Sequence, residues 1–142
     1  MSKGDTFEND LMKLIFQAVD IATIADDATT GSLTNLQVAL HTASPAEAGT
    51  QTTSETAYTS YARVAVARTA TGFAVAANVA SPIANIDFPE CTGSTSTITH
   101  FSVGSTTSGA GKVLYWGTVT PNIVVSNGVT PRLTTGSTIT ED

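Results

Sequence analysis

The chain has 142 residues, of which 41% are apolar and only 13% charged, and its net charge is −6. That length predicts one domain, 1–142, large enough to bury a core without staples. The acidic balance excludes nucleic acid as a partner, because phosphates demand Lys and Arg. A single Cys91 excludes an internal disulfide framework.

Thr and Ser supply 39 residues, interleaved with Val, Ala and Ile in short runs. These residues fit a pleated, half-buried surface. Charge is scarce against a norm of about 25%, and a monomer usually carries more to stay unassociated. The composition therefore points to a surface partly covered by other subunits. The first 27 residues hold six acids, whereas Cys91 to Thr140 holds none, only Lys112 and Arg132. An acidic N-terminal segment thus accompanies a mildly basic body.

The N-terminal segment, 1–27, is predicted to be helical. Residues 5–25 read as one helix, with Asp5 as cap and Glu8 three residues on, close to a capping box. Phe7, Leu11, Leu14, Ile15, Ala18 and Ala22 form a continuous stripe at helical spacing. Such a stripe must be buried, on the chain's own sheet by default or else on a neighbouring subunit.

The β-region is predicted over 33–142. Leu36, Val38 and Leu40 alternate with Gln37, Ala39 and His41, as in a half-buried strand. Residues 43–60, with Pro45 and Gly49, form the longest irregular stretch, a length that usually marks function or disorder. Tyr58 and Tyr61 at its end are placed to anchor it on a surface. A strand over Arg63–Arg68, a turn at Thr71-Gly72 and a partner strand from Phe73 to Val79 follow as a hairpin. Ser81-Pro82 is expected to break that strand. Further strands are predicted at 83–88, at Thr97–Val103, at Lys112–Val119 as a central strand, at 122–125 and within 133–140. Asn127-Gly128 between the last two is a hairpin dipeptide. About eight short strands with frequent turns predict a mainly β fold, a β-sandwich or jelly roll with one N-terminal α-helix.

Few residues carry chemistry. Gly104-Ser-Thr-Thr-Ser-Gly-Ala-Gly-Lys112 has phosphate-loop composition, but its glycines are misspaced and a strand follows where a helix N-terminus is needed. His41, His100, Cys91 and Asp87 match no metal-ligand spacing, so no metal or cofactor is expected. The two His are read as facing solvent or supporting loops. There is no G-x-S-x-G elbow. Glycosidase chemistry needs two poised carboxylates, and Asp87 and Glu90, the acids between Glu55 and Glu141, lie three apart across Pro89 and read as a strand-end turn. The chain reads as no enzyme. Trp116 and Tyr115 alternate in one strand, so at least one is expected in the core. Nothing in Met-Ser-Lys-Gly-Asp reads as a signal peptide, and no apolar run reaches the ~20 residues of a membrane span. The expected location is a cytoplasm, or a particle assembled there.

Several stretches taken together resemble a known family. They are Phe7-Glu-Asn-Asp-Leu-Met-Lys-Leu-Ile-Phe16, Leu36-Gln-Val-Ala-Leu-His-Thr42 with Ser44-Pro45, Tyr58-Thr-Ser-Tyr-Ala-Arg-Val-Ala-Val-Ala-Arg68, Ile86-Asp-Phe-Pro-Glu-Cys91, and Ile98-Thr-His-Phe-Ser-Val-Gly104 through Gly117. The chain resembles small virion proteins of tailed bacteriophages, often labelled tail fibre, and is similar to the jelly-roll cement proteins that clamp capsid exteriors. The Gln17–Asn35 connection is longer than that resemblance leads one to expect. The resemblance brings no catalytic residue. It implies a structural protein of the virion: a homo-oligomer, dimer or trimer, that binds the major capsid protein across subunit joints on the capsid surface. The alternative is a tail component or receptor- and glycan-binding module. Phe7, Leu11, Leu14 and Ile15 of the stripe, with Tyr58 and Tyr61 of the 43–61 loop, are the candidate subunit or capsid contacts.

Overall fold

The structure, a computed structural model, describes residues 5–21 and 33–141. The capping side chain expected at Asp5 and the helical continuation over 22–25 lie outside the described residues. In chain order the elements are α1 (Asp5–Gln17), β1 (Asn35–His41), β2 (Val64–Ala67), β3 (Phe73–Ala76), β4 (Val79–Pro82), β5 (Ile86–Asp87), β6 (Ser96–Gly104), β7 (Val113–Val125), β8 (Arg132–Leu133) and β9 (Ile139–Thr140). The fold is mainly β, with antiparallel sheets and a single N-terminal helix among the described residues, and this inventory fits a β-sandwich. Two compact units divide the chain. One gathers the residues up to Asn35, Val66–Asn85 and Leu133 onward; the other gathers Leu36–Ala65 and Ile86–Arg132.

The first unit packs α1 on the sheet β3-β4-β9. Met12 and Phe16, one turn apart, are fully buried. The Phe16 ring meets Phe73 edge-on at 4.9 Å, a geometry aromatic pairs favour. The buried line is therefore rotated from the predicted stripe: Leu11, Leu14 and Ile15 are half-buried and Phe7 is 39% exposed.

The helix also ends at Gln17, and residues 18–21, predicted to continue it, are not helical. Ala18 takes a left-handed φ of 54° and turns the chain out of the helix. Arg68 completes the stop. Its guanidinium donates to the Ile15 carbonyl at 2.7 Å and to that of Leu14, two of the carbonyls a helix end leaves unpaired.

The predicted hairpin between 63–68 and 73–79 is not formed. β2 joins β1 instead, and β3 turns at Ala77-Asn78 into β4, with Ala77 at φ 54°. Ser81-Pro82 does not break a strand. Pro82 ends β4 opposite Phe73, beyond the two residues that pair with β9, a place proline tolerates. Of the strand predicted at 83–88 only β5 forms, and of 133–140 only β8 and β9.

The second unit is built on a sheet of order β2-β1-β6-β7. Antiparallel register sets Val38 against Val103 and His41 against His100, then Ser102 against Trp116. Leu36, Val38 and Leu40 are buried, as alternation predicts, and Ile98, Val103 and Val125 are buried with them. Their polar neighbours are not half-exposed as expected. Gln37, Ala39 and His41 are buried as well, because the 50–56 segment folds over that face.

β7 is a second correction. The sequence predicts a central strand at 112–119 and a separate one at 122–125. The structure has one strand of 13 residues, continuous through a cis Thr120–Pro121 bond, and it lies at the sheet edge. Neither Trp116, 40% exposed, nor half-buried Tyr115 is a core residue.

Candidate functional site

The most sharply built feature is a cleft of about 490 Å³ in the second unit, walled by residues 55–58 and 60–63 and by Thr107, Ser108 and Gly109 of the β6–β7 loop. Arg63 organises it. The guanidinium has five N–H donors in a rigid fork. Nε donates to Glu55 Oε1 and Nη2 to Glu55 Oε2, each at 2.7 Å. Nη1 donates to the Thr106 carbonyl at 2.9 Å and to its hydroxyl at 3.2 Å, and Nη2 to the Gly109 carbonyl at 2.9 Å. The fork thus ties the 43–61 segment to the 104–111 loop. The Arg63 side chain is 2% exposed and that of Glu55 15%, so water screens this pair little. The hydrogen bonds to Glu55 raise the Arg63 pKa above its ordinary value.

Tyr61 shares the same carboxylate. Its hydroxyl donates to Glu55 Oε1 at 3.0 Å and accepts the Leu40 N–H at 3.0 Å. Desolvation pushes its pKa well above the usual phenol range. Tyr58 is buried. Its hydroxyl donates to the Pro89 carbonyl at 2.9 Å, its ring meets Tyr61 edge-on, and burial pushes its pKa up to about 12. Both Tyr therefore anchor the segment inward, on the chain's own second unit.

Two further residues hold this end of the sheet. Gln51, buried, donates to the Gln37 carbonyl at 3.2 Å and accepts the Thr106 N–H at 3.0 Å. It fits because Gly104 and Gly111 carry no side chain: a Cβ would come within 2.2 Å and 2.3 Å of the Gln51 amide. His41, fully buried, places Nδ1 2.9 Å from the Thr53 carbonyl and Nε2 2.8 Å from Ser102 Oγ. A carbonyl only accepts, so Nδ1 carries the proton and Nε2 accepts from the Ser102 hydroxyl. Burial holds the His41 pKa below its ordinary value. This is the loop-supporting role, not the solvent-facing one. Ser102 and His41 have the spacing of a nucleophile and base, but both are 0% exposed and cannot meet a substrate.

Phe7, Leu11, Leu14 and Ile15 belong to the first unit, Tyr58 and Tyr61 to the second. Sequence reasoning missed Glu55 and Gln51, which lie in the irregular 43–60 stretch, and took Arg63 only as the start of a strand; no spacing rule pairs a carboxylate with a guanidinium eight residues on. Among the described residues no three His, Cys, Asp or Glu side chains gather as a metal site.

A family model described as Podophage GP4 fiber I protein gp80 matches residues 3–141. The chain belongs to that family. No curated protein matches the chain. The gp80 family is one of phage fibre proteins, so the chain is a structural protein of the phage virion. For this gp80-family chain the cleft is then a feature of an assembly component, stapled shut at its base by Arg63 and Glu55.

Proposed function

We propose that the chain is a non-enzymatic subunit of the phage particle that works by binding other virion proteins and copies of itself, as part of a fibre. The observation that carries this is where its polar groups are spent. Arg63, Glu55, Gln51, His41 and Ser102 all satisfy one another or backbone groups. A catalytic site needs a poised group open to substrate. Fibre placement rests on the family's description. Phe7, exposed, and half-buried Leu11, Leu14 and Ile15 offer the first unit's docking stripe, while the rim of the cleft beside Tyr61 is where a receptor or glycan would meet the second.

Cementing of the capsid exterior, across joints between major capsid protein subunits, is a second reading. The low charge content of 13% favours it. A cement binds the assembled shell and not free subunits, so it stabilises the lattice by mass action, and many weak contacts on one particle add through effective concentration. Gold-labelled Fab fragments raised against this chain distinguish the two on purified virions. Label on tail fibres supports the first reading and label over the head moves the assignment to cement. Virions without the chain by mass spectrometry overturn both.

A further inference from the structure

We propose that Asn127 is a self-modification site, an asparagine that converts to aspartate or isoaspartate, and that the fold restrains it by engaging the backbone nitrogen that would attack it. The site is independent of the assembly role proposed above. Of the six asparagines only Asn127 is followed by glycine, and Leu, Val, Ile or Asp follows the others. The reaction depends on that neighbour. The nitrogen of the next residue attacks the side-chain amide carbon, and a glycine there brings no Cβ to crowd the approach.

The step balances without an oxidant or reductant. The Gly128 nitrogen gives up its proton to water or hydroxide and bonds to Asn127 Cγ. The Cγ–Nδ2 bond breaks, and Nδ2 takes up a proton and leaves as ammonia. Water then opens the cyclic imide at either carbonyl. One opening leaves aspartate, and the other leaves isoaspartate, with the main chain longer by a methylene. Either product puts a carboxylate into the stretch from Cys91 to Thr140, which has no acid.

The structure presents one reacting group and withholds the other. Asn127 is exposed to water. The Gly128 N–H instead donates to the carbonyl of buried Cys91 at 2.7 Å. An amide that donates to a carbonyl keeps its proton and is a poor nucleophile. Two more bonds fix the turn: the Val129 N–H donates to the Ser126 carbonyl and the Cys91 N–H to the Val129 carbonyl, each at 2.9 Å. Gly128 stands third in the turn 126–129 with φ 85°, the sign a type II turn requires there. Cys91 is itself anchored, its Sγ donating to the Gly93 carbonyl at 2.9 Å. Attack on Asn127 therefore waits for a local opening that parts the turn from Cys91.

Peptide mass spectrometry of the full chain tests this, after ageing in mildly alkaline buffer with and without urea, with hydrogen exchange read at Gly128. Asn127 should convert in the unfolded chain and at least about tenfold more slowly in the folded one, because a bonded turn must open first. At urea concentrations below the unfolding midpoint, conversion should rise in step with exchange of the Gly128 amide. Asn122, exposed on β7 but followed by Ile, should lag far behind in both states. Asn127→Gln, which would need a larger ring, should lose the product. Conversion as fast in the folded chain as in the unfolded one overturns the restraint by Cys91. An unfolded chain in which Asn127 converts no faster than Asn122, or a product that persists in Asn127→Gln, overturns the site.

Discussion

One sheet presents two contrasting boundaries. The polar face of β1 is roofed by residues 50–56 and held by a closed set of hydrogen bonds, while β7 ends the sheet order and carries no charged residue from Val113 to Val125. At the roofed face every polar group has a partner, and no buried side-chain N or O among the described residues lacks one. Along β7 the polar side chains Thr118, Thr120 and Asn122 are exposed. The difference teaches that scarce charge is spent unevenly in this chain. Arg63 and Glu55 are used inside to fix loops, and the strand at the end of the sheet is left neutral.

The contrast breaks most sharply at Glu55. Glu55→Ala should strand the Arg63 guanidinium and cost about 3–5 kcal/mol, read by urea unfolding, because a buried ion pair is worth most when one member is removed. If that loss stays under about 1 kcal/mol, the pair is a surface contact. Gly104→Ala drives a Cβ against Gln51 and should cost about 1–3 kcal/mol, with faster amide exchange at Thr106 as the local sign. His41 sharpens the comparison through pH. Its folded pKa lies below the ordinary 6.5, so the unfolded chain binds the proton more readily. Its stability contribution is complete above pH 6.5 and is lost as pH falls through the folded value. Urea midpoints should therefore drop on acidification, and less steeply in His41→Gln. Val124→Lys, at an exposed position of β7, should move the midpoint least, within about 0.5 kcal/mol.

The strands were legible, their burial only in part. Leu36, Val38 and Leu40 alternate and are buried, but Gln37, Ala39 and His41 between them are buried too, because the 50–56 roof covers that face. The helix was legible as an element, but its orientation was not: Met12 and Phe16 line up as well as Leu11 and Ile15 do, and only contact with Phe73 chooses between them. Its end was hidden because Arg68, 51 residues from Gln17, supplies the cap. The 43–60 stretch reads as a loop of function or disorder and proves to be a roof, since Gln51 and His41 find their partners in space and not in sequence. β7 looked central because both its faces carry apolar residues, and that pattern does not separate a central strand from one that ends the sheet.

Cryo-electron microscopy of the parent virion tests the central claim most directly. The account predicts density for this chain within a tail fibre, with the 50–56 roof closed over β1. Density over joints between capsid subunits would contradict the fibre placement and make the chain a cement.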